Sequence, residues 1–484
     1  MAGRFLSLFK PVSRFMPEVS SPTRKVGFNE KLFWTGLALV LYLIMTEVPL
    51  FGIATGASDP FLYLRVIFAS HRGSLMELGI GPIVTAGLIL QLLAGSGMIQ
   101  CDMGNTDDRV LFTTASKFFS FVLIGVQATA YIVGGVYSLN DPRMAIVVFL
   151  QLLFAGLVLV LLDELLQKGW GLGSGISLFI VAGVAQGILW DALSVAPSLG
   201  SGEETLRSFG AIPSLIQTLL SGQFSPSYLY TRGVNNTSLP TLLGLFTTLI
   251  VFFVVIYAEG VRVELPISYA GYRGFRSRYP IKLMYVSNLP VIFASALFAN
   301  IYFISQIIWS NYNQSNNNVW LNLIGTYASS TSGSPVPTGG LVYFVIPPRS
   351  IGDILGDPLG PLRAVVYTGI LVAFSIIFSL TWLEVGGLGP STVAKQLVDS
   401  GMEIPGFRRS EKAIEQVLKR YIPTVTILGG ALVGFIASVA DFFGVYGTGM
   451  GVLLSVGILY QYYQLLMQER VSEMYPALRR FFGE

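Results

Sequence analysis

Long apolar runs alternate with short polar breaks along nearly the whole chain. Runs able to cross a ~30 Å hydrocarbon core as a helix fall near residues 31–53, 76–99, 111–137, 144–165, 173–195, 240–260, 287–310, 363–383, 421–443 and 449–468. These runs predict ten transmembrane helices, an even number that places both termini on one side. One stretch breaks the pattern. In "SDPFLYLRVIFASHRGSLMELGIGPIVTAGLILQLLAG" (58–95) the apolar piece Phe61 to Ala69 precedes the turn "SHRG". At ~1.5 Å rise per residue a helix that short covers about half the core. It is too short to span and too apolar for open water, which predicts a re-entrant or interfacial piece. Gly79, Gly81 and Pro82 then loosen and kink the start of the following span.

The runs divide five plus five around the loop 196–239. Because five is odd, the second half is inverted relative to the first. Inverted halves place a substrate path between them at mid-membrane. No strong internal sequence identity accompanies this division, which rests on topology. The expected organisation is an N-terminal segment 1–30, a first half 31–195, the hinge loop 196–239, a second half 240–468 with long loops 259–283 and 384–420, and a tail 469–484.

Composition agrees with a polytopic membrane protein. Of 484 residues 52% are hydrophobic and 12% charged, with mean hydropathy +0.65, where soluble domains carry about 25% charged residues. The single Cys101 excludes a disulfide framework and a thiolate metal site, and the single His71 argues against a histidine acid–base or metal centre. The first 30 residues hold no apolar core of a cleaved signal peptide. "RFLSLFKPVSRFM" instead sets Phe5, Leu6, Phe9, Val12 and Phe15 against Arg4, Lys10 and Arg14, the pattern of a short interfacial helix. Of the 30 basic residues only Arg65, Arg72, Arg143, Arg207, Arg232, Arg349 and Arg363 fall on the side opposite the termini. The positive-inside rule therefore makes the termini cytoplasmic. Asn235 and Asn236 each begin an Asn-x-Ser/Thr tripeptide on the outer side, a weak agreement.

Charges avoid the middle of the spans: Glu47 and Asp441 lie near outer ends. Neutral polar residues do lie inside, namely Thr85, Gln91, Gln127, Gln151, Asn300 and Gln306. A coupled transporter normally buries ionisable groups mid-span, so the pattern favours a passive conduit or interhelical hydrogen bonds. There is no G-x-x-x-x-G-K-[ST] phosphate loop and no protease arrangement. "GLGSGIS" is glycine-rich but opens a membrane span. The residues thus point to a non-enzymatic protein without cofactor. A secondary transporter with inverted repeats and broken helices is the alternative, and an insertion scaffold without a through-pore is a third possibility.

Three longer motifs carry a family likeness. "SHRGSLMELGIGPIVTA" (70–86), "LLDELLQKGWGLGSGISLF" (161–179) and "ELPI…YRGFRSRYPIKLMYVSNLPVI" (264–292) closely resemble the SecY family, central subunits of the protein-conducting translocon. "ELPI" and "YPIKLMYVSN" look like its archaeal and eukaryotic branch. The resemblance extends over all ten spans and leaves 196–239, 311–350 and the tail unmatched. It implies an all-α membrane protein of ten helices in two inverted halves around an hourglass pore. It also implies a short plug helix at about 59–70, with Asp59, Phe61, Leu62, Leu64, Arg65, Val66, Ile67 and Phe68.

The resemblance implies further roles. Ile80, Val84, Ile176, Ile180, Ile292 and Leu454 match an aliphatic ring that seals the pore. Independently, Ile80/Val84 and Ile176/Ile180 are i, i+4 pairs, each on one helix face; a narrow apolar ring blocks ions by dewetting. Thr85, Gln127 and Asn300 match a polar cluster across the lateral gate, through which signal peptides and membrane segments reach lipid. Arg273, Arg276, Arg278, Arg408 and Arg409 match ribosome-docking loops. Implied partners are a SecE-type gamma subunit, a small beta subunit, the ribosome, signal peptides, nascent polypeptides and membrane lipids. The expected location is an archaeal plasma membrane, with the endoplasmic reticulum membrane as alternative.

Overall fold

In a computed structural model the apolar runs are helices, as lipid requires of backbone amides that have no other hydrogen-bond partner. The structure describes all residues except 1–4, 6–8, 12–15, 54–68, 96–97, 100–105, 134–136, 138–140, 198–207, 223–224, 230–231, 233–238, 270–275, 285–288, 330–334, 349–350, 357, 401, 404–410 and 475–484. The first half consists of α1 (Phe28–Glu47), α2 (Gly81–Gly95), α3 (Thr106–Val133), α4 (Pro142–Leu165) and α5 (Gly175–Leu193). The connection contains α6 (Ala211–Leu220). The second half holds α7 (Leu242–Gly260), strands β1 (Arg262–Tyr269) and β2 (Arg276–Lys282), and α8 (Leu289–Tyr312). Then come α9 (Val319–Ile324), β3 (Thr326–Ser329), β4 (Pro335–Gly339), α10 (Leu341–Val345) and α11 (Ile351–Gly356). The chain closes with α12 (Gly360–Val385), α13 (Pro390–Asp399), β5 (Met402–Glu403), α14 (Glu411–Phe442) and α15 (Gly449–Met474). Among the described residues nine helices are long and apolar enough to cross a membrane; the remaining expected span, α2, is 15 residues long.

Three expectations are corrected. The run 76–99 predicts a full-length second span kinked at Pro82. The residues before Gly81 are turns instead, with the amides of His71 and Gly79 both donating to the Met76 carbonyl. Pro82 begins the helix, where its missing N–H would have no partner in any case. The ninth span is longer than 421–443, because α14 runs unbroken from Glu411 through Pro423 and absorbs the end of the preceding basic loop. The loop 196–239 contains α6, whose polar side is turned inward. Ser214 and Thr218 are buried while Ile216, Leu219 and Leu220 are exposed. The hydroxyls of Ser214 and Tyr228 bond each other. A buried Arg232 donates to the carbonyls of Ser208 (2.9 Å), Phe209 (3.2 Å) and Pro240 (2.6 Å), closing the loop on itself.

Packing within the second half relies on small residues. Gly430, Gly434 and the buried Ser438 follow each other at i, i+4 on α14, and the two glycines face Ser375 and Ser379 of α12. A Cβ at Gly434 would lie 2.9 Å from Val372 Cα, so the two backbones approach as in small-xxx-small membrane interfaces. The two halves meet along two seams, α2 against α8 and α12, and α5 against α15. One apolar cluster crosses both seams and forms the centre of the molecule.

The described parts of the two basic loops pair with each other. β1 and β2 form an antiparallel hairpin with Arg262 opposite Lys282 and Ser268 opposite Arg276. β5 adds to the other edge of β1 through Ser268–Glu403 and Tyr269–Met402, giving the order β2-β1-β5. Leu265 and Ile281 of the hairpin, Leu397 of α13 and Ile414 and Leu418 of α14 share an apolar cluster beneath this sheet. At the N-terminus Phe5 and Phe9 pack on Phe118 and Phe119 of α3, with Phe9 5.7 Å from Phe118. Part of the apolar face expected to lie on lipid is thus covered by the chain itself. Leu6, Val12 and Phe15 lie outside the described residues.

Candidate functional site

The six aliphatic positions singled out from the sequence converge. Ile80, Val84, Ile180, Ile292 and Leu454 belong to the central cluster, and Ile176 packs against it. Ile80 is not on α2 but immediately ahead of it. Its carbonyl accepts the amides of Ile83 (3.1 Å) and Val84 (3.0 Å), so Ile80 and Val84 still lie one turn apart. Ile176 and Ile180 occupy the first turns of α5 and Leu454 the second turn of α15. Four elements from both halves therefore bring aliphatic side chains together where the halves meet, with Ile80, Ile180 and Leu454 fully buried.

Along the α2–α8 seam Asn300 Nδ2 donates to Thr85 Oγ1 at 3.2 Å and to the Ala296 carbonyl of its own helix at 2.7 Å. Gln127 does not join them: among the described residues no hydrogen bond reaches its side chain. The contact of α3 with α8 is aromatic instead. Tyr131 stacks on Phe303 with ring centroids 5.0 Å apart. Tyr131 lies one turn along α3 from Gln127, on a face that the polar-residue reading passed over. Offset aromatic pairs contribute about 0.5–1.5 kcal/mol beyond their area.

The short apolar piece is only partly in view. Asp59, Phe61, Leu62, Leu64, Arg65, Val66, Ile67 and Phe68 lie outside the described residues, but Ala69 and Ser70 at its downstream end are buried. Ala69 adopts φ +49°, a left-handed conformation unusual for a residue with a side chain. Its carbonyl accepts a hydrogen bond from Tyr42 on α1 at 3.0 Å, and a Cβ on Gly183 of α5 would approach Ala69 Cα to 3.1 Å. The end of the piece is thereby seated in the cluster that holds the aliphatic ring.

On the basic sheet Arg278 is exposed and pairs with Glu264 across the hairpin at 2.6 Å. The Arg278 hydrogen bond holds the Glu264 carboxyl below the ordinary carboxylate range. Arg276 sits in β2 opposite Ser268. Arg273, Arg408 and Arg409 lie outside the described residues.

Sequence reasoning gave no role to two buried carboxylates, Asp163 and Asp441, the second noted only as lying near an outer end of its span. Asp163 at the end of α4 accepts the amide of Ile176 at 3.0 Å and the side-chain amide of Gln167 at 2.8 Å. Asp441 at the end of α14 accepts the amide of Gly449 at 2.6 Å and the Tyr367 hydroxyl at 3.2 Å. The available signal was a repeated tripeptide: Gly173-Ser174-Gly175 opens α5 and Gly447-Thr448-Gly449 opens α15. Among the described residues no group of histidine, cysteine and acidic side chains is placed to hold a metal ion.

Comparison with known proteins matches this geometry to one family. The SecY family model matches residues 74–463, and the model of the plug domain of Sec61p matches residues 40–73. The protein translocase subunit SecY of Pyrococcus furiosus is 43% identical over 483 residues, covering 98% of each chain. A solved structure of a protein-conducting channel superposes with a TM-score of 0.80 at 37% identity, over 97% of this chain and 98% of the other. Sec61 in a canine ribosome–channel complex from the endoplasmic reticulum gives 0.77 at 36% identity, over 97% and 98%.

Proposed function

This chain belongs to the SecY family, and from that premise we propose how its residues serve a protein-conducting channel. The multi-pass helical fold and the non-enzymatic channel function come with the family, which displaces the transporter and scaffold alternatives. Unfolded polypeptide passes between the halves, through a collar formed by Ile80, Val84, Ile176, Ile180, Ile292 and Leu454. The observation that carries this reading is their convergence from four elements of both halves into one buried apolar cluster. Such a collar dewets and blocks ions without a fixed charge. It holds no hydrogen-bonding group against a passing side chain, so it yields to any sequence.

The segment at about 59–70 acts as the plug, and its downstream end is seated by Tyr42 and Gly183 around Ala69. The seam of α2 and α3 with α8 acts as the lateral gate, closed by the Thr85–Asn300 hydrogen bond between α2 and α8 and the Tyr131–Phe303 stack between α3 and α8. Gln127 keeps at most a minor part in it. An apolar signal helix entering the seam would replace these contacts with its own and favour the open state.

The joined basic loops present Arg273, Arg276, Arg278, Arg408 and Arg409 to the ribosome, whose RNA phosphates reward basic contacts. Sec61 has been seen in a ribosome–channel complex. A SecE-type gamma subunit and a small beta subunit complete the assembly. The termini face the cytoplasm, as the bias of basic residues requires. The membrane is the plasma membrane of an archaeon, in keeping with the Pyrococcus relatives. The test is a secretory chain stalled mid-transit. Photo-crosslinkers placed at Ile80, Ile176 and Leu454 should all capture it, and crosslinks that avoid these positions would overturn the collar.

A further inference from the structure

The two halves share a capping device at the helices that carry the collar. In the first half Asp163 lies in the last turn of α4, the chain runs on through a π-helical turn (Leu166–Trp170) and Gly173-Ser174-Gly175, and α5 begins. The buried carboxylate reaches across the turn to the amide of Ile176, itself a collar residue, and to Ser174 Oγ at 3.4 Å. In the second half Asp441 lies in the last turn of α14, the chain turns through Gly447-Thr448-Gly449, and α15 begins. That buried carboxylate takes the amide of Gly449, which opens the helix bearing Leu454. Gly173 and Gly447 have φ of +68° and +69°. A Cβ on Gly175 would lie 2.6 Å from Asp163 Cα, and one on Gly449 2.9 Å from the Asp441 amide nitrogen. In both halves, therefore, glycine lets the second helix start against the backbone of the first, and an aspartate fixes where it starts.

The starts of α5 and α15 are also tied to the opposite half. Tyr462 of α15 donates to the carbonyls of Leu172 (3.2 Å) and Ser174 (2.9 Å) ahead of α5. A Cβ on Gly447 ahead of α15 would meet Ile188 and Val184 of α5 at 3.2 and 3.3 Å. The α5–α15 seam is thus clamped at both ends, each time beside an aspartate-capped turn. A carboxylate at a helix N-terminus satisfies amides that have no partner within the helix and complements the helix dipole.

We propose that Asp163 and Asp441 are positioning residues of the constriction. Each sets the height of one collar helix along the pore, so that Ile176 and Ile180 meet Leu454 at the level of Ile80. The proposal rests on the collar reading above. It predicts that loss of either carboxylate slips a collar helix and opens an ion path while the bundle stays folded.

The experiment measures resting potassium chloride conductance of the complete channel complex in planar bilayers, alongside its melting temperature. Asp163→Ala and Asp441→Ala are each expected to raise resting conductance about tenfold, equivalent to about 1.4 kcal/mol in the closed–open balance. The double variant should leak more than either single one. Asp141→Ala removes a cap from α4, whose Arg143 amide it accepts at 3.0 Å, but that helix carries no collar residue. It should stay as tight as the parent. An Ile80→Gly/Leu454→Gly channel serves as reference. If the reference leaks while the Asp163 and Asp441 variants match Asp141→Ala, the positioning role is overturned and the collar stands. If the reference itself is tight, the collar reading fails. Should the alanine variants not assemble, Gln167→Leu and Tyr367→Phe each remove one donor and leave the carboxylate. They should leak in the same direction by a smaller factor, and tight channels from both would overturn the proposal.

Discussion

Asn300 shows how much one side chain decides in a membrane. Its amide makes one bond within α8 and one across to Thr85. Interhelical hydrogen bonds of this kind average roughly 0.6 kcal/mol, enough to bias a gate without locking it. Asn300→Leu is therefore expected to shift the closed–open balance by about threefold and to let less hydrophobic signal sequences pass. A translocation assay over a graded series of signal hydrophobicity checks this, and an unchanged threshold would make the contact structural only. Asn300 and Thr85 were legible as polar residues inside apolar runs. Gln127 looked equivalent by that criterion, yet its position on α3 leaves the contact to Tyr131. Composition finds polar residues in a span, but their azimuth on the helix decides which of them meet.

At the scale of elements, helix existence was readable and helix ends were not. The apolar runs predicted the spans because a backbone in hydrocarbon must satisfy its own amides. The ends depended on local chemistry: Pro82 starts α2, and Asp163 and Asp441 fix the starts of α5 and α15. The stripe Gly430, Gly434 and Ser438 was present in the sequence, but its partner face on α12 was not. Since lipid is as apolar as leucine, such close packing replaces the hydrophobic effect as the force between spans. Gly434→Leu should destabilise the complex by about 1–3 kcal/mol or more, because the new side chain meets Val372 backbone that cannot move aside. Thermal melting of the detergent-solubilised complex checks this, and Gly36→Leu, where a Cβ meets nothing within 4 Å, should leave it unchanged.

At the scale of the whole molecule, the described parts of the two basic loops are joined by a sheet. β5 pairs with β1 and a shared apolar cluster lies beneath them, which joins the described parts of 259–283 and 384–420. Reversing charge in both loops, as Arg273→Glu with Arg408→Glu, should weaken ribosome binding at low salt by roughly tenfold or more and flatten its salt dependence. Co-sedimentation across a salt series measures this; unchanged binding would remove these loops from the docking surface. The pairing of the two loops could not be read from the chain, since β5 is only two residues long.

The chain by itself determined that this is a bundle of membrane-crossing helices, which side is basic, and which short piece could not span. These follow from local hydropathy and charge, quantities that lipid and water read one segment at a time. Only the tertiary structure decided which aliphatic side chains share a collar, which amides bridge the seam and which carboxylates hold helix ends. Those depend on helix azimuth and axial register, and both are set by contacts between residues far apart in the chain.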